Sequence, residues 1–362
     1  MEPRVENEIK PRNAGQSRTR SAFKSALAVT ILTGLLVWVG PRVLIDALAQ
    51  ITLITGALLL LLSALLVWVS AVKWRWFLRE LRLPDASGAA SGNLMSTGVG
   101  AEVPGTGYLS ALYLLGYFVN LLAPSFVGGD AVRSYYVGRV TGQYQAAAAT
   151  ILERFTGLLA MLGLGVMVGW TSELVSAELY ALVVGLAAGG VVVAWVSVHP
   201  GLENFIVRLP WGTRIARHVA AVQGTVWMLR RNHRLWWGTL GLSLVFHTLT
   251  VANTAAAAWA VGWVEVPLAE LFVVLPIILL LGALPISPSG LGVQEGAFVF
   301  FLQGLGATPG QALGVALILR AKVYLLAVLG GLVFLSLRRK APAPGVCEVG
   351  IDQNVPPKSN QA

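Results

Sequence analysis

Nine stretches of this chain carry no charged side chain: residues 25–41, 47–72, 103–129, 155–172, 179–198, 235–264, 271–294, 296–319 and 323–337. A soluble core helix alternates polar and apolar faces, whereas these runs are apolar on every side. About 20 such residues cross roughly 30 Å of hydrocarbon, and most of the runs exceed the length of an outer-membrane strand. Only 12% of residues are charged and the mean hydropathy is +0.72, which excludes an ordinary soluble globule and a disordered chain. The expected fold is an all-α polytopic membrane protein. The single cysteine, Cys347, excludes a disulfide framework and any multi-cysteine metal site.

The distribution of the 26 Lys and Arg sets the expected orientation. Six lie in residues 1–24, four in 73–82, three in 133–154, six in 208–234 and four in 338–358. The connections 41–50, 171–178 and 262–270 hold only Arg42, against five carboxylates. Basic residues collect on the cytoplasmic side, so both termini are expected there, in a plasma (inner) membrane. The net charge of +9 therefore reads as topology, and no nucleic acid is expected as a partner. Residues 199–234 interleave six arginines with Trp211, Trp227 and aliphatic residues, the pattern of a basic segment resting on an anionic leaflet. Lys73-Trp-Arg-Trp-Phe-Leu-Arg79 is assigned the same role in a second loop.

These assignments conflict with one crossing per apolar run. Residues 73–82 and 133–154 would both be cytoplasmic, so 103–129 cannot cross once. Residues 86–104 are rich in Gly, Ser and Thr, so residues 108–129 are expected to dip in and return instead. Likewise 271–306 is expected to form a re-entrant pair before a last span over 311–335. The result is six full transmembrane helices plus two re-entrant, Pro/Gly-broken helical hairpins that enter from opposite faces, a candidate inverted repeat. The domain plan is a disordered basic tail over 1–22, a membrane domain over 23–337 and a disordered tail over 338–362.

Paired breaks of this kind are the sequence mark of a binding site between repeats. The first contains Asn120, Pro124, Ser125, Gly128, Gly129, Asp130 and Arg133; the second contains Pro285, Ser287, Pro288, Gly290, Gly292 and Glu295. Both include Pro-Ser-x-x-Gly, with a carboxylate six or seven residues after the proline. Proline removes a backbone donor and glycine permits a tight return, which leaves helix ends free to meet ions. Ionisable residues within spans imply a partner or a wet cavity. Asp130, Arg133, Glu153, Arg154, Glu295, Arg320 and Lys322 meet that description. Arg320–Glu295 and Arg154–Asp130 are candidate structural ion pairs. Arg320 and Lys322 point about 200° apart on a helix, so one cavity is not expected to be lined by both. Glu153 and Arg154 stand at the start of a span, where an interfacial position is an equally good reading.

The histidines show no ligand spacing, and His247, the one in a span, reads as packing. No Walker loop, nucleophile elbow or His-Glu-x-x-His motif occurs. Neither a metal nor another cofactor is expected, and an enzyme is the less favoured class.

Three ordered motifs carry a family resemblance: Asn120…Pro124-Ser-x-x-Gly-Gly-Asp130-x-x-Arg133, Glu153-Arg154-x-x-Gly157, and Pro285-Ile-Ser-x-x-Gly-Leu-Gly292-Val-x-Glu295. The chain resembles, over residues 25–337, the flippase-like membrane region of lysylphosphatidylglycerol synthases. Two departures stand out. Gln294 occupies a position that is often basic in the family, and only a short tail follows Leu337, so lysyl transfer is not expected. The resemblance implies a translocator that moves a membrane phospholipid or lipid-linked headgroup between leaflets, with a separate lipid-modifying enzyme as a candidate partner. On that reading Asp130 and Glu295 orient the breaks or meet a cationic group, while Arg133, Arg154 and Arg320 neutralise a phosphate. The substrate-contacting set is Asn120, Ser125, Asp130, Arg133, Glu153, Arg154, Ser287, Glu295, Arg320 and Lys322. The alternative is a membrane-embedded transferase or accessory subunit acting on a phospholipid or polyprenyl phosphate, with Asp130 or Glu295 as general base.

Overall fold

The computed structural model describes residues 50–81, 102–122, 128–198 and 232–340, with scattered positions between 30 and 49. Among the described residues all regular structure is helical: α1 (Leu53–Glu80), α2 (Thr106–Leu122), α3 (Gly128–Thr141), α4 (Gln143–Gly169), α5 (Ala177–Val198), α6 (His233–Ala260), α7 (Leu268–Ala283), α8 (Val293–Gly304) and α9 (Pro309–Lys340). A single 3₁₀ turn, Pro288–Gly290, lies between α7 and α8. The chain is an all-α, multi-pass membrane protein. Among the described residues five helices, α1, α4, α5, α6 and α9, are long and apolar enough to cross a membrane. Most of the expected first span, 25–41, and the basic segment 199–231 lie outside the described residues, as do residues 1–29 and 341–362 and Pro124 and Ser125, while 338–340 of the expected tail continue α9.

Helix ends follow local chemistry. Thr52 and Thr55 form a reciprocal capping box at the start of α1. Asn232 caps α6 by accepting from the Leu235 amide, and its side-chain amide donates to Glu80 at 2.9 Å. That bond ties the end of α1 to the start of α6. The two helices then run together, with alanines 255–258 packed against Leu271, Ile278 and Leu313 in the larger core. A second core joins α1 to α4 through Trp74, Phe77, Leu109, Leu112, Val137 and Ala149.

α2, α3, α7 and α8 are 17, 14, 16 and 12 residues long. At 1.5 Å per residue they reach roughly 18–25 Å, short of the hydrocarbon thickness. They pair as two hairpins, α2 with α3 and α7 with α8, and glycine closes each. A Cβ on Gly129 would stand 2.3 Å from the Gly116 carbonyl oxygen, and one on Gly290 would stand 2.5 Å from that of Gly282. The second return also needs left-handed backbone, at Ser289 (φ 51), Gly290 (φ 68) and Gly292 (φ 81). A serine there is strained and persists only where its surroundings fix it.

Helix limits differ from the reading of the sequence at two informative places: the first hairpin returns through α3, Gly128–Thr141, rather than within residues 108–129, and α1 runs past Lys73. α1 does not end before Lys73 but continues to Glu80, and Lys73, Trp74 and Phe77 are buried. The segment is not a loop on the leaflet surface. Its tryptophan and phenylalanine fill the core, and its lysine finds a partner on α4.

Candidate functional site at the two helix breaks

α4 carries Glu153 and Arg154 in its third turn. They stand at the start of the uncharged run, and the helix itself begins ten residues earlier. Glu153 is buried against α1, α2 and α3. One carboxylate oxygen accepts from Arg133 Nη2 at 2.8 Å, and the other from the Tyr113 hydroxyl. Lys73 Nζ donates to the Glu153 backbone carbonyl at 2.9 Å. Gly157, one turn on, leaves room for Lys73 and for His247 of α6.

Arg133, only 1% exposed, is the centre of this cluster. Its guanidinium lies between the rings of Trp74 (4.6 Å) and Tyr113 (4.2 Å), and its Nε donates to Asp130 at 3.0 Å. Aromatic faces and two carboxylates replace the lost hydration of a fully buried cation. Asp130 in turn accepts both Nε and Nη2 of Arg154 at 2.8 Å, the two-pronged geometry that arginine's planar fork favours. The Arg154 side chain is 59% exposed and Asp130 17%, so the chain of ion pairs runs from the core to an arginine at the surface of the helix bundle.

The second cluster pins the α7–α8 return. Glu295 accepts from the Gly292 amide at 2.6 Å and from Arg320 Nε at 2.5 Å. Arg320 also donates to the carbonyls of Ser289 (2.9 Å) and Gly290 (3.4 Å) and to Gln294 Oε1 (3.1 Å). The strained turn is therefore held by an arginine from α9 that occupies its exposed carbonyls. Two residues on, Lys322 Nζ donates to Asn253 Oδ1 of α6 at 2.7 Å. Arg320 and Lys322 line one cavity of about 140 Å³, with Thr250, Asn253, Gln294 and Glu295. The helical angle between them predicts otherwise, but the cavity wraps around α9: arginine reaches α8 on one side and lysine reaches α6 on the other.

The two breaks meet. Ser289 Oγ donates to the Asn120 carbonyl at 2.6 Å, and Asn120 Oδ1 accepts from the Gly129 amide at 2.6 Å. Ser287 is buried beside the turn, and its hydroxyl has no hydrogen-bond partner among the described residues. Of the expected site residues, the structure thus gathers Asp130, Arg133, Glu153 and Arg154 in one cluster and Glu295, Arg320 and Lys322 in another, with Asn120 between the hairpins. Arg133 and Arg320 are committed to internal carboxylates and carbonyls, so neither is placed to neutralise a headgroup directly.

Four participants escaped the sequence reading: Lys73, Trp74, Tyr113 and Asn253. A lysine straight after 26 uncharged residues was the one available signal; the others sit in apolar runs without distinguishing spacing. Counting charges, the first cluster has Lys73, Arg133 and Arg154 against Asp130 and Glu153, and the second has Arg320 and Lys322 against Glu295. Each carries one more cation than carboxylate.

The family model described as the lysylphosphatidylglycerol synthase TM region matches residues 25–331, which include both hairpins and both clusters. Neither the curated proteins nor the solved structures contain a significant match. With more than four-fifths of its length matched, the chain belongs to the family of the lysylphosphatidylglycerol synthase TM region.

Proposed function

We propose that this protein is a lipid translocator of the inner membrane, moving a phospholipid or lipid-linked headgroup between leaflets. The observation that carries the reading is the junction of two short, glycine-closed hairpins at Ser289 and Asn120, flanked by two clusters with excess positive charge. Irregular backbone at membrane depth needs protein or a cavity around it, and an intramembrane cation in excess of its partners calls for an anion. Arg154 is the group suited to receive it. Asp130 holds its fork in place while the side chain stays accessible. Glu295, Arg133 and Arg320 fix the breaks from behind, and a separate lipid-modifying enzyme would supply or consume the lipid.

The deciding experiment is leaflet exchange of labelled phospholipids, anionic and zwitterionic, in proteoliposomes. Wild type is expected to exchange lipid that remains chemically unchanged, and Arg154→Ala to slow exchange at least tenfold. Its folding cost should be small, about 1 kcal/mol or less, as for other accessible pairs, because Asp130 keeps Arg133. A covalently altered lipid would favour the transferase reading and sink this one. Undiminished exchange in the variant would remove Arg154 from headgroup handling.

Orientation belongs to the same proposal. Setting aside the buried Lys73 and Arg133, 21 basic residues remain in the segments assigned to the cytoplasm, against one outside. Arg139, in the last turn of α3, is exposed, whereas Ser134 is buried and bonded to Thr150. In a Cys347→Ala background, Arg139→Cys is expected to react with impermeant thiol reagents only after the inner face is opened. Free labelling from the periplasm would contradict both the orientation and the first re-entrant hairpin.

A further inference from the structure

The cavity between α6, α8 and α9 has a chemistry of its own. Lys322 is an ammonium inside a helix that is long and apolar enough to span the membrane, and its hydrogen bond goes to a neutral amide oxygen. Among the described residues it makes no ion pair. Asn253 is itself fixed, with its amide nitrogen directed at Ser63 Oγ and the Leu59 carbonyl of α1, so its oxygen faces the lysine. The nearby Glu295 carboxylate is satisfied by Arg320 and the Gly292 amide. What remains in the cavity is one positive charge, with two ammonium protons not used by Asn253.

Leu66, Leu275 and Phe298 form much of the remaining wall, so little else there can compensate the charge. A volume of about 140 Å³ exceeds the share of about four waters, at roughly 30 Å³ each. Half of the wall is apolar, the Arg320–Glu295 pair in the other half is internally neutralised, and Lys322 is left as the one cation of the cavity without a carboxylate among the described residues, with room for a tetrahedral oxyanion: together these describe an anion pocket. Lysine serves as a point charge for phosphate where arginine would demand a fixed fork.

We infer that Lys322, oriented by Asn253, forms an anion-binding pocket for a phosphate group, filled by the phosphodiester of a net-negative lipid headgroup. This deepens the translocator reading, on which it rests for the lipid as the source of the phosphate. It gives the protein a second headgroup station beside α9, separate from Arg154.

The test is calorimetric titration of the purified full-length protein in detergent, so that binding is read without transport. The probes are dihexanoyl phosphatidylglycerol, dihexanoyl phosphatidylcholine and inorganic phosphate. The variants are Lys322→Gln, which removes the charge but retains a donor for Asn253, and Asn253→Asp, which keeps the lysine and supplies it with an internal anion. Wild type is expected to bind phosphatidylglycerol saturably and at least tenfold more tightly than phosphatidylcholine. Both variants are expected to lose at least tenfold, and Arg154→Ala to retain a Lys322-dependent component. If inorganic phosphate binds with the same dependence on Lys322 and the lipid does not, the pocket stands as a phosphate site and the lipid source is overturned. Absence of binding by wild type, or equal affinity in wild type and Asn253→Asp, would overturn the pocket. Asn253→Asp leaves no void and adds a salt bridge to Lys322, but it turns an acceptor toward the Leu59 carbonyl, so thermal unfolding of each variant accompanies the titration, and loss of binding counts only in protein that unfolds as cooperatively as wild type. Failure of leaflet exchange with binding intact would fault the translocator reading alone.

Discussion

Arg133→Leu is expected to destabilise the protein by about 3–5 kcal/mol, the cost of removing one partner from a buried ion pair, and to leave little folded material in detergent extracts. The guanidinium is enclosed by Trp74, Tyr113, Asp130 and Glu153. Its removal strands Glu153 in the core with the Tyr113 hydroxyl as its remaining side-chain partner. Asp130 suffers less, because Arg154 still holds both of its oxygens. Neutral hydrogen bonds between membrane helices average only about 0.6 kcal/mol, so the buried carboxylate that has lost its guanidinium and keeps Lys73 at its backbone carbonyl as a nearby cation, not the lost bonds, dominates the effect.

A companion variant separates charge from packing. Arg133→Leu combined with Glu153→Leu removes both ions together, and apolar replacement of a whole buried pair is often close to neutral. Much of the lost stability should therefore return in the double variant, measured as thermal unfolding followed by size-exclusion chromatography. A single variant that costs less than about 1 kcal/mol would show that Arg133 is hydrated in the folded protein. The burial described for it would then be wrong.

The two helix breaks could be read from the sequence because their causes are local, whereas the returning limb of the first hairpin, α3, was not read, because its charges find their partners on α4. Proline and glycine mark breaks whatever surrounds them, and charge on both flanks of one apolar run forbids a simple crossing. Arg320–Glu295 and Arg154–Asp130 were readable for the same reason: a charge in a span must find an opposite one. Where the reading failed, the physics was tertiary. Charge was taken to mark a helix end at Lys73, but α1 continues because the Glu153 carbonyl offers the ammonium a partner 80 residues away. Trp74 looked like an interfacial anchor by composition, yet its ring is the surface on which Arg133 lies. Asn253 is one polar residue among alanines, and only the arrival of Lys322 from α9 gives it a role. The angle between Arg320 and Lys322 was sound for Cβ atoms. It misled because long side chains can line a cavity that curves around their helix.

Gly330→Ala is expected to be the most damaging alanine substitution among the described glycines. A Cβ there would lie 1.8 Å from the Leu114 carbonyl oxygen and 2.4 Å from its carbon, both of them backbone atoms that no rotamer change can move. α9 and α2 would have to separate, which exceeds ordinary overpacking at about 1–3 kcal/mol. The neighbouring Gly331→Ala supplies the control. Its Cβ would meet the Phe118 ring at 3.2 Å, and a ring can shift by a few tenths of an ångström, so a cost below about 1.5 kcal/mol is expected. The separation should also reach the site, because α9 carries Arg320, which pins the second break, while α2 carries Asn120, which accepts from Ser289. With Asn120→Cys and Ser289→Cys in a Cys347→Ala background, a short bifunctional thiol reagent is expected to join the two hairpins. Adding Gly330→Ala should abolish the cross-link, whereas Gly331→Ala should preserve it. Equal cross-linking and equal thermal stability in the two alanine variants would show that α2 and α9 do not touch at Gly330, and the junction of the breaks would lose its support.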